Sequence, residues 1–301
     1  MSRERELDEF GSIFQRAVVP TIEVEKIELG EIVVLHDFSD RGPACVAAAD
    51  ELRHRFGSRV SHRFLLRDQD AAFEADAREK LASAGASDGE IVHGDPAAHV
   101  AQLAETDRPA LIIASAPLQA HESSAAAVVA GRFIDALLVA TPIPTLLMRS
   151  AWRGSVFERI LAKIPGGRPD LIEQFSFAFA LCRPGGQLRL LHIVDEERLK
   201  RLAEVLEITP EIDTAEGTKG VAAAAERRME QLLRGAVRTG RGAGFHADSD
   251  IRVGDPFEIL PNEVLDSTLL ILGSQGSHAE FLESRAYELM NRIPNLPVLA
   301  L

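Results

Sequence analysis

The side chains in this chain that are best suited to chemistry are ligand-binding groups, not catalytic ones. Asp37, in the segment Asp37-Phe38-Ser39-Asp40, follows an apolar run and offers a carboxylate to ligand hydroxyls or to the edge of a base. No serine stands in a nucleophile-elbow pattern, no cysteine has a convincing histidine partner, and neither an HExxH motif nor a complete Walker loop occurs. The scattered histidines show no spacing typical of a metal site. The sequence therefore predicts a protein that is not an enzyme and holds no metal.

Composition limits the classes of partner and the compartment. The chain has 46 acidic and 33 basic residues, a formal net charge of −13, which argues against a general nucleic-acid-binding surface. The N terminus, MSRERELDEF, lacks the apolar region of a secretory signal, and no segment approaches the roughly 18 apolar residues of a membrane span. Cys45 and Cys182 are too few for a disulfide framework or a four-cysteine zinc site, so we interpret them as buried core thiols. We expect a cytoplasmic protein with no membrane span.

The chain repeats itself at long range. Residues 91–115 and 251–274 both run from β-like residues through Gly-Asp-Pro to a helix-like segment and a short apolar burst. Each copy then closes on a Pro-flanked apolar strand, PTLLM at 144–148 and PVLAL at 297–301. Two copies with so long a period indicate duplicated domains and not a solenoid. The predicted division is an N-terminal arm at 1–30, a first domain at 31–150 and a second at 151–301.

Strand and helix patterns alternate within each copy. The first copy has strands at 31–38, 60–68, before Gly94, 110–115 and 144–148, and helices at 44–57, 71–85, 97–105 and one ending near Ala140. The second has strands at 157–164, 187–194, before Gly254, after Thr268 and at 297–301, and helices at 169–182, 196–206 and 219–238, with a polar loop through Glu216. Such alternation predicts an α/β protein of two tandem open parallel five-stranded sheets flanked by helices.

The start of the first copy has two interpretations. The segment GSIFQRAVVP (11–20) resembles GSVFERILAKIP (154–165), so it could be the first strand, with the helix after it deleted. The favoured alternative makes EIVVLHDF the first strand, because all five strands and four helices are then present. Residues 1–30 would in that case be an added arm.

A ligand in such a fold binds beyond the carboxyl ends of the strands. Three loops of each copy should reach that crevice: the loop after the first strand, the Gly-Asp-Pro turn and the loop after the fourth strand. The first loop carries Asp37 and Ser39 in copy one, whereas Ile164-Pro165-Gly166-Gly167 in copy two offers only backbone and two glycines.

These features resemble the universal stress protein family in a tandem form, over residues 31–148 and 157–301. In that family an Asp ends the first strand and a Gly-x-Pro-like turn follows the third. Nucleotide-binding members add Gly-x-x-Gly, nine residues, then Gly with Ser or Thr after the fourth. Glycines there let backbone amides approach phosphates. The resemblance implies an adenine nucleotide alpha hydrolase-like, Rossmann-like fold, and ATP or a related adenine nucleotide as the cofactor.

Both copies depart from the family motif. Copy two keeps Gly273-Ser274-Gln275-Gly276, but Ala286-Tyr287 or, aligned from the last strand, Ser284-Arg285 replaces the closing Gly-Ser. Copy one has Ala114-Ser115-Ala116-Pro117 at the first position and Gly131-Arg132 at the closing one. Glu280 and Glu283 would oppose a polyphosphate in copy two, where His278 and Arg285 could partly offset them. The resemblance thus implies two incomplete sites, made from Asp37, Ser39 and Gly131, and from Gly273, Ser274, Gly276, Ser277 and Arg285.

Structural roles compete with these functional ones. Gly273 and Gly276 could simply allow a turn, Asp37 could cap the following turn or helix, and the Gly-Asp-Pro turns suit a helix start. His36 and His192 each end an apolar strand and are interpreted as packed or hydrogen-bonded core residues.

Two functions remain at the level of sequence. One is a stress-response or regulatory protein with degenerate adenine-nucleotide pockets, and the alternative is an interaction scaffold or transporter-associated regulatory module that binds no nucleotide. In the family the last strand pairs across a two-fold axis, and here TLLM and PVLAL could pair within one chain. That pairing would make an intramolecular pseudo-dimer and leaves homodimerisation and a protein partner open.

Overall fold

The described residues contain ten strands, which form one sheet with helices on both of its faces. The structure, a computed structural model, describes residues 24–66, 72–116, 137–138, 143–165, 171–195, 214–273, 285–293 and 295–301. The strands are β1 Glu31–His36, β2 Arg59–Leu66, β3 Glu90–His93, β4 Leu111–Ser115, β5 Thr145–Met148, β6 Arg159–Ile164, β7 Gln187–Val194, β8 His246–Val253, β9 Leu269–Leu272 and β10 Val298–Ala300. The helices are α1 Gly42–Phe56, α2 Glu74–Ala84, α3 Pro96–Thr106, α4 Leu171–Leu181, α5 Thr214–Gly242, α6 Pro256–Glu263 and α7 Arg285–Arg292.

The strand order shows two halves with the same topology. The sheet runs β3-β2-β1-β4-β5-β10-β9-β6-β7-β8, so β1–β5 (lobe one) and β6–β10 (lobe two) follow the same path from opposite ends. Within each lobe every pair is parallel. This confirms the predicted α/β class with two open parallel five-stranded halves.

The lobes join through their last strands. Strand β10 pairs antiparallel with β5, with Leu299 opposite Leu146 and Val298 opposite Leu147. All four side chains are fully buried. The pairing predicted between TLLM and PVLAL is therefore confirmed, and it removes an edge from each lobe.

The first described strand of lobe one is Glu31–His36. It occupies the same central place in its lobe as Arg159–Ile164 does in lobe two, between the second and fourth strands. Residues 11–20, the alternative first strand, lie outside the described residues.

The core has two layers because β1 is buried on both faces. Ile32 and Val34 pack in the layer under α1, α4 and α5, whereas Val33 and Leu35 pack in the layer under α3, α6 and α7. A continuous apolar run, with no polar alternation, is what a parallel strand covered by helices requires.

Helix α5 is longer than the sequence predicted. It begins at Thr214, so the polar loop predicted through Glu216 is wrong for residues 214–216, and the predicted helix 219–238 is the interior of a 29-residue helix. Met229, Leu233 and Ala236 bury one face of it. Once that face nucleates the helix, propagation toward the N terminus offsets the cost of about 1 kcal/mol for a glycine such as Gly217. The predicted helix 196–206 lies outside the described residues.

Candidate functional site

The loop after β1 holds its carboxylate inside the protein. Asp37 Oδ1 accepts hydrogen bonds from the backbone N–H of Ser39, at 3.1 Å, and from its hydroxyl, at 2.5 Å. Asp37 Oδ2 lies 3.6 Å from a guanidinium nitrogen of Arg41. The Asp37 side chain is 1% exposed and that of Arg41 is 10% exposed. The residue predicted to face a ligand thus closes its own loop, in the manner of an Asx turn reinforced by a buried cation.

Ser39 stabilises the same turn through its hydroxyl group. Its hydroxyl donates to Asp37 and accepts from the backbone N–H of Arg41, at 3.3 Å, and the residue is 4% exposed. Both donor and acceptor capacity of the hydroxyl are therefore used within the loop. A ligand would have to displace Ser39 or Arg41 to reach the Asp37 oxygens.

The register of the sheet corrects the alignment of the two loops that follow the fourth strands. Ile32 pairs with Leu111 in lobe one, and Ile160 pairs with Leu269 in lobe two, so Ser115 occupies the place of Gly273. The prediction that Ala114 stands at this place is wrong by one residue.

In lobe two the space beside Gly273 is filled by Gln174 of α4. A Cβ atom on Gly273 would lie 2.9 Å from Gln174 Oε1, closer than real contacts allow. Gln174 is 4% exposed, and its amide donates to the carbonyl oxygen of Lys163 at the end of β6, at 2.7 Å. A side chain at Gly273 would therefore force the buried, hydrogen-bonded amide of Gln174 to move.

In lobe one the equivalent space is filled from the strand and not from the helix. Ser115 has the side chain there, and its hydroxyl lies 3.8 Å from the thiol of Cys45 on α1. A larger strand residue faces a smaller helix residue in lobe one, and the sizes are exchanged in lobe two. The contact between first helix and fourth strand is therefore closed in both lobes.

The cysteines are core thiols, as predicted. Cys45 and Cys182 are free and buried. Burial raises the pKa of Cys45 to about 12 and that of Cys182 to about 11. Both stay protonated at neutral pH, and a buried thiol is a poor nucleophile and metal ligand.

The Gly-Asp-Pro turns build the fold. Gly94 and Gly254 have φ of 122° and 143°, a region that favours glycine. Asp255 caps α6 by accepting a hydrogen bond from the backbone N–H of Phe257, at 2.9 Å. These contacts give the turn in lobe two its structural role.

The two predicted core histidines are buried and hydrogen-bonded. His36 is 2% exposed, and its Nε2 lies 3.1 Å from Nδ1 of His62. Burial, with the neighbouring His62, lowers the pKa of His36 to about 3. His192 Nδ1 lies 2.9 Å from the carbonyl oxygen of Ile164, and burial lowers its pKa too. Both rings are neutral at physiological pH.

The remaining predicted site residues lie outside the described residues or are described only by their secondary structure. Gly131, Ser274, Gly276 and Ser277 lie outside the described residues, as do Glu280 and Glu283. Arg285 is described only as the first residue of α7. Of the eight predicted residues, Asp37 and Ser39 are brought together, and Gly273 lies in the other lobe.

Arg41 and Gln174 are the site residues that the sequence analysis missed. Arg41 stands four residues after Asp37, a spacing at which opposite charges meet in a helical turn, so this signal was present. No sequence pattern indicated Gln174, because Gln174 and Gly273 are far apart in the sequence and meet only in the folded protein.

Within the described part of the chain, two further features are absent. No cluster of three or more potential metal ligands occurs there. No helix in that part is long and apolar enough to cross a membrane.

Comparisons with known proteins give the fold. No protein-family profile and no curated protein matches the chain. A universal stress protein from Archaeoglobus fulgidus DSM 4304 is similar in structure, with 14% identity, a TM-score of 0.57 and coverage of 91% of this chain and 97% of the other. A protein of Pseudomonas aeruginosa UCBPP-PA14 assigned to the universal stress proteins shares 15% identity, with a TM-score of 0.55 and coverage of 91% and 93%. A functionally unknown protein of Pseudomonas aeruginosa PAO1 shares 15% identity, with a TM-score of 0.52 and coverage of 91% and 92%. At these identities the likeness shows the fold alone.

Proposed function

We propose that this chain, which has the universal stress protein fold, is a non-enzymatic regulatory protein that acts through its surface and does not use its crevices for ATP. The observation that carries the proposal is the state of Asp37. Its side chain is 1% exposed and already accepts two hydrogen bonds from Ser39 beside the Arg41 guanidinium. Displacing these partners would leave buried polar groups unsatisfied, which costs about 1–3 kcal/mol for each.

The contact in lobe two supports the same proposal. There the first loop has Pro165 at the place of Asp37, so no carboxylate is available to a ribose or a base. Gln174 packs against Gly273 at the start of the next loop. Neither lobe offers, in its described residues, a free acid together with an open glycine backbone.

A stress-response protein with one working nucleotide pocket is the second candidate. It is favoured by Gly273, which keeps the first glycine of the family motif at the end of β9. The two candidates differ in whether the purified protein carries a nucleotide.

Extraction of the purified protein distinguishes them. Protein purified without added nucleotide is heat-denatured, and the supernatant is analysed by anion-exchange chromatography. The proposal expects no adenine nucleotide, and no rise of Tm when millimolar ATP is added to the native protein. Stoichiometric nucleotide in the extract would overturn it in favour of the second candidate.

A further inference from the structure

Helix α5 carries a row of arginines on the side that faces away from the sheet. The structure describes the side chains of its residues 226–242, where Met229, Leu233 and Ala236 are buried. Four exposed residues form the arginine row: Arg227, Arg234, Arg238 and Arg241. Because an α-helix turns by about 100° per residue, all four lie within about 60° of each other around the helix axis, roughly opposite the buried side chains. The row is therefore a single face of the helix.

The charge of this face runs against that of the chain. Residues 226–242 contain five arginines and two glutamates, so they carry a net charge of +3 in a chain of net charge −13. No acidic residue occurs from 231 to 247. The helix in the corresponding place of lobe one, α2, has three acids and two bases, and its Arg78 pairs with Glu74 at 2.8 Å. The arginine row thus has no counterpart on α2.

The stability of the helix does not explain the row. Cations stabilise the C-terminal end of a helix only within about its last turn, which contains Arg241 but neither Arg227 nor Arg234. Arg234 pairs with Glu230, four residues before it. Arg238, however, follows Arg234 by four residues and precedes Arg241 by three, and like charges at these spacings repel each other. An anionic group bound from outside would relieve that repulsion.

The length of the row and the charge around it favour a small anionic partner. From Arg227 to Arg241 the row spans 14 residues, or about 21 Å of helix. Since residues 226–242 carry +3 of the net −13, the rest of the chain carries −16. A membrane or a long nucleic acid would extend past the row and bring its phosphates against this acidic remainder. A short acidic segment of a protein would stay within the row.

We propose that the arginine row binds a short acidic segment of a partner protein. Successive guanidinium groups from Arg234 to Arg241 are set about 4.5–6 Å apart along the helix, and an extended segment places alternate side chains about 6.6 Å apart on one face. Carboxylates at that spacing can each accept hydrogen bonds from one arginine. This rests on the proposed function and deepens it, because it assigns the surface through which the protein acts.

The test uses the full chain and a defined probe. A fluorescent peptide of eight residues that alternates Glu and Ser is titrated with the protein at about 20 mM salt, where surface charges are weakly screened, and its anisotropy is measured. The matched control peptide has Gln in place of Glu. We expect saturable binding of the Glu/Ser peptide, none of the Gln/Ser peptide, and a several-fold loss of affinity at about 150 mM salt. No binding of the Glu/Ser peptide, or binding that salt does not weaken, would overturn the proposal.

Protein variants locate the binding. Arg238→Gln should weaken the Glu/Ser peptide about threefold, and Arg234→Gln combined with Arg238→Gln about tenfold. The matched control is Arg228→Gln, since Arg228 is exposed on the same helix and carries the same charge but lies outside the row. Equal weakening by Arg228→Gln and Arg238→Gln would overturn the proposal, because general charge would then account for binding.

The unfolding temperature separates binding from a structural role. Arg238→Gln should leave Tm unchanged or raise it slightly, because it removes a like-charge contact and keeps a good helix former. A lower Tm with unchanged peptide affinity would overturn the proposal, since the row would then serve the fold.

Other anions are tested in the same assay. Vesicles containing phosphatidylserine and a single-stranded dT oligonucleotide of eight residues are compared with the Glu/Ser peptide. We expect the peptide to bind more tightly than either. Tighter binding of the vesicles or of the oligonucleotide would overturn the assignment to an acidic protein segment. None of these measurements involves ATP, so their failure is distinct from the finding of a bound nucleotide that would overturn the proposed function.

Discussion

Arg55 of lobe one caps the C-terminal end of α4 in lobe two by donating to the carbonyl oxygen of Leu181, at 2.7 Å. Its other terminal nitrogen donates to the carbonyls of Ala180, at 2.6 Å, and Cys182, at 2.9 Å. A cation that satisfies three terminal carbonyls also complements the negative end of the helix dipole. Glu51, 4.0 Å away, orients the guanidinium and itself accepts from Ser155 of lobe two. The lobes are thus fastened by side chains as well as by the β5–β10 ladder.

Replacing Arg55 should weaken the whole molecule. Arg55→Met keeps the packing of the aliphatic stem and removes the donors, so we expect a loss of about 2 kcal/mol in the free energy of unfolding, measured in urea. The matched control is Arg53→Met on the same helix. Arg53 is half-exposed and pairs with Asp50, so its loss should cost under about 0.5 kcal/mol. Equal effects of the two substitutions would contradict the capping role.

In each lobe a larger side chain faces a smaller one where the first helix meets the fourth strand, and a double-mutant cycle can test whether the two sizes depend on each other. Gly273→Ser places a side chain against Gln174 and should destabilise the protein by about 1–3 kcal/mol. Gln174→Cys makes lobe two resemble the Cys45 and Ser115 pair of lobe one. The double variant should be more stable than the sum of the two single effects predicts, by about 1 kcal/mol.

Additive effects in that cycle would contradict the packing role assigned to Gly273. They would mean that the glycine is needed for its backbone and not for the space beside Gln174. Thermal and urea unfolding of all four proteins give the required free energies.

The buried histidines should make the protein sensitive to acid. His36 has a folded pKa of about 3, below its ordinary value, because burial disfavours the charged ring. The unfolded chain therefore binds a proton that the folded chain does not, and stability falls as pH drops below about 6.5, continuing toward pH 3. His36 alone accounts for about 2 kcal/mol between pH 7 and pH 5.

His36→Ile isolates that contribution. Ile164 stands at the same place in lobe two, so isoleucine suits a strand in this position. The fall in unfolding free energy from pH 7 to pH 5 should shrink by about 2 kcal/mol in this variant. Val34→Ala on the same strand should lower stability equally at both pH values. An unchanged pH dependence in His36→Ile would contradict the assignment.

The sheet was largely predictable because its signals are local. Strand β7, Gln187–Val194, was predicted to the residue from a continuous apolar run, and Gly57 and Gly85 end α1 and α2 with φ of 70° and 87°, as their sequence positions indicated. The pairing of TLLM with PVLAL was implied by the resemblance to the universal stress proteins and covers two edges, whereas its register, with Leu146 opposite Leu299, comes from the structure.

The contacts of the candidate site depend on tertiary structure and were harder to predict from the sequence. Leu111 lies 17 residues after Gly94, whereas Leu269 lies 15 residues after Gly254, so a comparison of apolar runs made Ala114, and not Ser115, the equivalent of Gly273. Only strand register resolves such a slip. The burial of Asp37 depends likewise on how Arg41 folds back, which residue types alone do not specify.

The central claim is that the crevices do not bind adenine nucleotide through Asp37. Isothermal titration calorimetry of ATP into the purified chain, with Asp37→Asn as the matched variant, tests it most directly. We predict no saturable heat for either protein at millimolar ATP. Saturable binding to the unmodified chain that Asp37→Asn abolishes would contradict the claim, because Asp37 would then have left Ser39 and Arg41 to contact the ligand.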